Sequence, residues 1–343
     1  MTSHENGLLL QALRGQSTPR PPVWFMRQAG RTDPEYNRLK AESGMGLDEL
    51  FRHPELAARI SLLPQRLGVD AIIFFQDILT PLPPMGAPFR FAPGPVLERP
   101  PRTAAELDAL HPFEVARELS FVPRTLELLR EELDGALPVL GFAGAPFTLA
   151  AFLAEGKSFG ADAPAARTLM EEQPEALHRL LDKLARVTID YLELQREAGV
   201  AAVQLFESGA FLLSRAQYRE FALPYQQRIL EALSGRVPTI LFARDWPHLE
   251  DYAEAGADVV SLPSFIGLGE ARAILGHGAV LQGNVDNQLL ARGPLEDIRQ
   301  AVRECAAAGE GRGHILNLNH GLLRHTPFEH VQAAIDEVHA LAR

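Results

Sequence analysis

Two arginines near the N-terminus have the spacing of an anion clamp. They lie beside apolar and aromatic residues in the segment Pro22-Val-Trp-Phe-Met-Arg-Gln-Ala-Gly-Arg31. Guanidinium groups stay charged and bind carboxylates through paired hydrogen bonds. Arg27 and Arg31, placed on one helical turn or on a glycine-bent loop, can therefore hold two carboxylates of one ligand. The alternative is a solvated pair of surface arginines, because this spacing is frequent on helices.

Asp77 is the second candidate for chemistry. It lies among apolar residues in the stretch Phe74-Phe-Gln-Asp-Ile-Leu-Thr80. A carboxylate in such surroundings is costly unless it has a partner or a task, and a ligand's N–H groups or a cationic intermediate can provide one. The alternative is a structural aspartate that pairs with an arginine or caps a helix.

The elements that must position these residues are strands alternating with helices. Apolar runs typical of strands buried on both faces cover residues 69–75, 137–142, 201–206, 238–243, 258–262, 279–282 and 314–318. Helical spacing of apolar residues covers residues 34–63, with breaks near Gly44 and Pro54, and residues 119–133, 175–198, 215–234, 248–255 and 295–308.

This alternation predicts an α/β protein with a parallel sheet. Seven strands and a possible eighth favour a single closed (β/α)8 (TIM) barrel over residues 1–343, without a second domain. The eighth strand is expected in the proline-rich segment 81–101, where residues 88–92 can instead form half of a local hairpin.

Polar residues follow the predicted strands at the end where such barrels carry their active sites. They are Asp77, Gly144-Ala-Pro146, Glu207-Ser208, Arg244-Asp245, Asn284, Asp286 and Asn319-His320-Gly321. Loop polarity or helix capping explains each of them alone. Their convergence at one end favours a site.

Composition excludes several other classes. The net charge is −11, and no basic run suggests binding to nucleic acid. No apolar run has the ~18 residues of a membrane helix, and the N-terminus lacks the features of a signal peptide, so we expect a soluble cytoplasmic protein. Cys305, the only cysteine, is expected as a buried helical thiol rather than a nucleophile. His320 and His325 have no cysteine nearby, so His320 is expected to donate a hydrogen bond rather than bind zinc.

Six blocks of sequence, in order, resemble the uroporphyrinogen decarboxylase family. They are residues 22–31, Ile73-Phe-Phe-Gln-Asp-Ile-Leu79, Gly141-Phe-Ala-Gly-Ala-Pro-Phe-Thr-Leu149, Gln204-Leu-Phe-Glu-Ser208, Leu281-Gln-Gly-Asn-Val-Asp286 and Ile315-Leu-Asn-Leu-Asn-His-Gly321. The resemblance implies a homodimeric carboxy-lyase of porphyrin and haem biosynthesis that uses no cofactor or metal. Such an enzyme converts the four acetate side chains of uroporphyrinogen III to methyl groups, which gives coproporphyrinogen III.

The resemblance also implies roles for individual residues. The substrate-binding segment contains Arg27, Gln28, Ala29, Gly30 and Arg31, of which the two arginines are catalytic as well. Asp77 contacts the pyrrole nitrogens and stabilises a cationic intermediate. Ser208 and His320 bind peripheral carboxylates, and Phe152 occupies a substrate-binding position where the family usually has tyrosine.

The chain departs from the family pattern elsewhere. Leu262-Pro-Ser264 stands where Leu-Asp-Trp is common, and Thr32, Asn287 and Asn319 replace an aromatic residue, a proline and a glycine, respectively. These differences bear on rate and substrate range more than on the reaction. Segments 81–101 and 152–162 are expected to wall the cleft.

Two rival functions are compatible with parts of the sequence. A non-catalytic tetrapyrrole-binding paralogue is permitted by Phe152 and the altered loops. A corrinoid or thiol methyltransferase with the same barrel needs a zinc site built from histidine and cysteines, whereas this chain has one cysteine.

Overall fold

Within residues 7–30 and 32–342, which the computed structural model describes, nine strands form two sheets. The strands are β1 (Ile72–Ile73), β2 (Phe89–Phe91), β3 (Pro95–Leu97), β4 (Val139–Gly144), β5 (Ala202–Glu207), β6 (Thr239–Ala243), β7 (Val259–Ser261), β8 (Val280–Gln282) and β9 (His314–Ile315). Strands β1 and β4 to β9 pair in parallel in chain order, and β2 pairs with β3 in antiparallel. The seven predicted core strands and the α/β class are confirmed.

Seventeen α-helices occur in the same described ranges. They are α1 (Leu8–Leu13), α2 (Pro34–Ser43), α3 (Leu47–Phe51), α4 (Pro54–Leu62), α5 (Ala104–Ala109), α6 (Val115–Glu118), α7 (Phe121–Leu133), α8 (Pro146–Glu155), α9 (Pro164–Glu172), α10 (Pro174–Glu197), α11 (Arg215–Phe221), α12 (Leu223–Leu233), α13 (Leu249–Ala255), α14 (Leu268–Leu275), α15 (Asn287–Arg292), α16 (Leu295–Ala308) and α17 (Phe328–Ala340). None of these helices is long and apolar enough to cross a bilayer.

The N-terminal segment closes the barrel between β9 and β1. Leu316 N–H donates to the Pro22 carbonyl at 2.9 Å, and Asp70 N–H donates to the Val23 carbonyl at 2.8 Å. Val23 also bridges to Leu316 in parallel. Residues 22–24 therefore occupy the place of an eighth strand.

The expectation of an eighth strand in segment 81–101 is wrong, and the alternative of a local hairpin, β2–β3, is correct. The closing segment gives little strand signal because Pro21 and Pro22 lack the N–H groups that a sheet ladder needs. It is recognisable only by its contacts on both sides.

An ion pair fastens the closing segment to the rest of the barrel. Arg20 donates from both terminal nitrogens to the Asp70 carboxylate, at 2.6 and 2.9 Å. The same carboxylate accepts the Val23 N–H at 2.7 Å. Both charged side chains are largely buried, so the pair is shielded from solvent.

Two predicted element boundaries need correction. The predicted helix 215–234 is divided into α11 and α12 at Ala222, because Pro224 has no N–H and its ring would clash with the carbonyl four residues earlier. The predicted loop 152–162 begins later, because Phe152 lies inside α8.

The two segments expected to wall the cleft contact each other. Leu97 of β3 donates its N–H to the Gly156 carbonyl at 2.7 Å, and Val96 bridges to Lys157. The hairpin follows β1 and Gly156 follows β4 by way of α8, so both belong to connections that leave the carboxyl ends of strands. That they wall a substrate cleft stays a prediction.

Candidate active site

Arg27 lies on a tight turn whose neighbours are fixed in the barrel. The turn is closed by the Gln28 N–H, which donates to the Phe25 carbonyl at 3.0 Å. Met26 N–H binds the Asn317 side chain at 3.2 Å, and the Gln28 amide donates to the Ala71 carbonyl at 2.8 Å. Arg27 itself has φ +66°, a left-handed conformation that costs energy in a residue with a Cβ. Of the two conformations open from the sequence, Arg27 adopts the loop.

The Arg27 side chain lies over Gly321. A Cβ at position 321 would be 2.7 Å from Arg27 Cδ and 3.1 Å from its Nε. Arg27 as a whole residue is exposed to solvent, yet protein atoms surround its guanidinium so closely that desolvation lowers the pKa of that group. We expect a side chain with both properties to line an open cleft.

Positive charge is concentrated around Arg27. Asp77 raises the pKa of Arg27, which offsets part of the desolvation, whereas Arg244 and Arg324 lower it further. Two further arginines thus add their positive charge to that of Arg27, in a protein whose net charge is −11. A cleft of this kind attracts a ligand with several anionic groups.

His320 is a neutral imidazole within this cluster. Burial first, and then the charges of Arg27 and Arg244, lower its pKa to about 3. Its Nδ1 accepts the Gly321 N–H at 2.6 Å, so the ring proton of the neutral form is assigned to Nε2. The expectation that His320 donates a hydrogen bond fits this arrangement.

Asp77 is oriented by its own turn. Its Oδ1 accepts the Leu79 N–H at 2.8 Å, and its carbonyl accepts the Thr80 hydroxyl at 2.7 Å. Asp77 is partly exposed, and the negative charge of its carboxylate raises the pKa of Arg27. Asp77 therefore stabilises its own turn and also acts electrostatically on Arg27. A structural role and a role in the site are compatible for this residue.

Aromatic rings underlie the charged groups. Ring centroids are 5.1 Å apart for Phe74 and Phe142, 5.8 Å for Phe142 and Phe206, and 5.5 Å for Phe206 and Phe242. The Phe242 ring is then 5.6 Å from that of His320. His320 follows β9, which does not adjoin β6 in the sheet, so this last contact joins residues from strands that are not neighbours. The rings form an apolar layer on which a flat ligand can rest.

A buried carboxyl group supports the loop that carries Ser208. Glu207, at the end of β5, is fully buried and accepts hydrogen bonds from the Thr148 hydroxyl and the Gln226 amide. Burial raises the pKa of Glu207 to about 7. Thr148 also accepts the Gly209 N–H at 2.9 Å, which fixes the backbone on the far side of Ser208.

A protein-family model described as uroporphyrinogen decarboxylase matches residues 4–341 of this chain. The chain belongs to the uroporphyrinogen decarboxylase family. Proteins named uroporphyrinogen decarboxylase from Syntrophotalea carbinolica and Alkalilimnicola ehrlichii are each 42% identical to it. The first match covers 97% of both chains, and the second covers 100% of this chain and 96% of the relative.

Solved structures show how widely this barrel is shared. A methyltransferase from Methanosarcina mazei matches 97% of both chains with a TM-score of 0.81 and 22% identity. A B12-independent methionine synthase from Shewanella sp. W3-18-1 matches 96% of both with a TM-score of 0.57 and 13% identity. At these identities the likeness concerns the fold alone.

The other residues predicted from the uroporphyrinogen decarboxylase pattern have different placements. Arg31 lies outside the described residues. Gln28 is 3% exposed, with its amide bound to backbone groups, and Phe152 is 3% exposed with its ring 6.0 Å from that of Phe89. Ala29 and Ser208 are partly exposed, and Gly30 is buried. Gln28, Gly30 and Phe152 are thus buried, whereas Arg27 is exposed.

Arg244 was placed by the sequence at the site end of the barrel but was given no substrate role, and Arg324 was not selected at all. Arg244 follows β6 as Asp77 follows β1, so its position after a strand was the available signal. Its guanidinium carbon lies 4.3 Å from the ring centroid of Phe211, which itself stacks on Phe159 at 6.4 Å. Arg324 had no such signal, because it lies in the irregular segment between β9 and α17.

Cys305 is not part of this site. The thiol is buried in α16 as expected, and burial raises its pKa to about 11. Among residues 7–30 and 32–342, no three His, Cys, Asp or Glu side chains are grouped as metal ligands. The zinc site on which the methyltransferase alternative depends therefore has no candidate there.

Proposed function

We propose that this protein decarboxylates the four acetate side chains of uroporphyrinogen III to give coproporphyrinogen III in haem biosynthesis. The observation that carries the proposal is the cleft itself. Arg27 and Arg244 bring positive charge next to the neutral His320 donor, and the Asp77 carboxylate acts on the same point. A macrocycle with carboxylates at its rim and N–H groups at its centre complements this distribution of charge.

In the proposed mechanism the substrate provides its own electron sink. Protonation of a pyrrole ring beside an acetate makes a cation, and cleavage of the bond between methylene and carboxylate releases carbon dioxide as its electrons enter the ring. A proton then adds to the methylene carbon and the ring loses its proton. One proton is consumed for each carbon dioxide released.

The residues divide this work between binding and stabilisation. Asp77 faces the pyrrole nitrogens and stabilises the cation more than the neutral substrate, which lowers the barrier. Arg27, with Arg31 by resemblance, holds the reacting carboxylate and has a role in delivering the proton. His320 Nε2–H, Ser208, Arg244 and Arg324 bind peripheral carboxylates, while Gln28, Ala29, Gly30 and Phe152 shape the pocket around them.

We also propose that the enzyme is a cytoplasmic homodimer. The resemblance implies the dimer, and a single buried cysteine suits a reducing compartment. Phe265, which follows β7, is 60% exposed and offers an apolar contact to a second copy. Light scattering coupled to size exclusion would measure the mass of the assembly.

The decisive experiment is anaerobic turnover of uroporphyrinogen III with products separated by carboxylate number. We expect coproporphyrinogen from the wild type and a loss of at least ~100-fold in kcat/KM for Asp77→Asn, because one charge opposite the cation is removed. The amide can still accept the Leu79 N–H, so the turn is retained. Asp297→Asn, on the exposed first turn of α16, is the matched control and should keep wild-type activity.

One result would contradict the proposed reaction, and another would contradict the proposed role of Asp77. Wild-type protein that binds substrate without releasing carbon dioxide would indicate the tetrapyrrole-binding paralogue, and Phe152→Tyr would then be the next variant to assay. Full activity in Asp77→Asn would leave the reaction in place but remove this carboxylate from the mechanism.

A further inference from the structure

The side chain of Asn319 joins three loops at the carboxyl end of the barrel. Its Nδ2 donates to the Ser264 hydroxyl at 3.1 Å, and its Oδ1 accepts the Asn287 N–H at 2.9 Å. These partners follow β7 and β8, respectively, while Asn319 itself follows β9. Both polar atoms of one amide are thus used to connect loops from consecutive strands.

The bond to Asn287 meets a need of the backbone. Asn287 is the first residue of α15, where an N–H group has no partner within the helix. The N-cap residue Asp286 does not supply an acceptor for it, because the Asp286 side chain accepts from Gln288 N–H instead. Asn319 therefore caps α15 from another loop.

The same pair encloses His320. The Asn287 side chain donates to the Gly321 carbonyl at 3.0 Å, so the residues on both sides of His320 are bound to Asn287. Gly321 in turn donates its N–H to His320 Nδ1 at 2.6 Å. The bonds to Asn287 fix the residues on both sides of His320, and the Gly321 N–H holds the imidazole itself.

The other partner of Asn319, Ser264, is also fixed. The Asn284 amide donates to the carbonyls of Pro263 and Ile266, at 2.7 and 2.6 Å, on either side of Ser264. Ser264 therefore presents its hydroxyl to Asn319 from a loop that is itself tied down. The loops after β7, β8 and β9 form one hydrogen-bonded unit.

We infer that Asn319 is a positioning residue, which orients His320 toward the substrate through its bonds to Asn287 and Ser264. The inference rests on the proposed function insofar as His320 contacts the substrate. A proline at 287 has no N–H to donate, and a glycine at 319 has no side chain to accept it, so the asparagines at both positions are physically matched.

The test compares Asn319→Ala with Gln288→Ala, a polar-to-alanine control on the exposed side of α15. Loss of two hydrogen bonds that hold His320 should lower kcat/KM for uroporphyrinogen by roughly five- to tenfold, mainly through KM, whereas the control should match the wild type. Ser264→Ala, which removes a single exposed bond, should show a smaller loss and keeps the test open if Asn319→Ala fails to fold.

A double-mutant cycle separates positioning from general loop damage. In a His320→Ala background, Asn319→Ala should cause no further loss of kcat/KM, because its effect passes through the missing imidazole. An equal loss in both backgrounds would overturn the inference.

A second readout does not depend on turnover. In protein labelled with 15N-histidine, the His320 signals, assigned by their loss in His320→Ala, should show the Nε2–H tautomer in the wild type and a mixture of tautomers in Asn319→Ala. Unchanged His320 signals would refute positioning. A wild type that fails to decarboxylate would refute the proposed function but leave this measurement valid.

Discussion

Replacing Gly321 by alanine should impair the cleft without unfolding the barrel. The new Cβ would lie 2.7 Å from Arg27 Cδ and 3.0 Å from Cγ, whereas non-bonded carbon atoms prefer about 3.5–4.0 Å. The Arg27 side chain must therefore move by about 1 Å. Gly321 does not have a left-handed conformation, so alanine brings no backbone strain there.

The size of the effect follows from the bond that Arg27 is proposed to make with a substrate carboxylate. A hydrogen bond between a guanidinium and a substrate carboxylate contributes about 1.5–3 kcal/mol, and displacing one partner by about 1 Å forfeits most of it. We therefore expect kcat/KM to fall roughly 10- to 100-fold. The free energy of unfolding should change by less than about 1 kcal/mol, because a flexible side chain yields instead of the backbone.

The assay combines anaerobic turnover with thermal unfolding followed by circular dichroism. Gly269→Ala is the control, since its Cβ in α14 would meet no atom within 4 Å and alanine favours the helix. The double variant Arg27→Ala/Gly321→Ala should turn over substrate as slowly as Arg27→Ala alone. Wild-type kcat/KM in Gly321→Ala, or a further loss in the Arg27→Ala background, would refute the reasoning.

Two other predictions concern stability. Burial lowers the pKa of His314 to about 4, so between about pH 6.5 and pH 4 the unfolded chain binds a proton there that the folded protein does not. As the pH is lowered through that window, the free energy of unfolding should decrease by up to ~3 kcal/mol because of this residue. Urea titrations should show that the free energy of unfolding depends less steeply on pH in His314→Gln, but not in the exposed control His277→Gln. For barrel closure, Asp70→Ala leaves the Arg20 guanidinium and the Val23 N–H without their partner and should cost about 3 kcal/mol of unfolding free energy by urea denaturation. Glu118→Ala, which breaks a solvent-exposed pair with Arg117, should cost less than ~0.5 kcal/mol, and equal losses in the two variants would count against the fastening role.

The sequence by itself determined the alternation of strands and helices and the end of the barrel at which the proposed site lies. Apolar runs and helical spacing are local signals, and the strands they predicted are confirmed. Because parallel strands all end on one side, Asp77, Arg244 and His320 could be assigned to a common edge without coordinates. The six family blocks then indicated the reaction, and the family match agrees with them.

The tertiary structure alone decided how the barrel closes and how the site is tuned. Residues 22–24 act as a strand only because β1 and β9 lie on either side of them. Met26 and Asn317, which help to fix the Arg27 turn, are 291 residues apart in the chain. The neutral state of His320 depends on burial and on two distant arginines. Such effects arise from spatial proximity between remote residues, and no local pattern of amino acids records them.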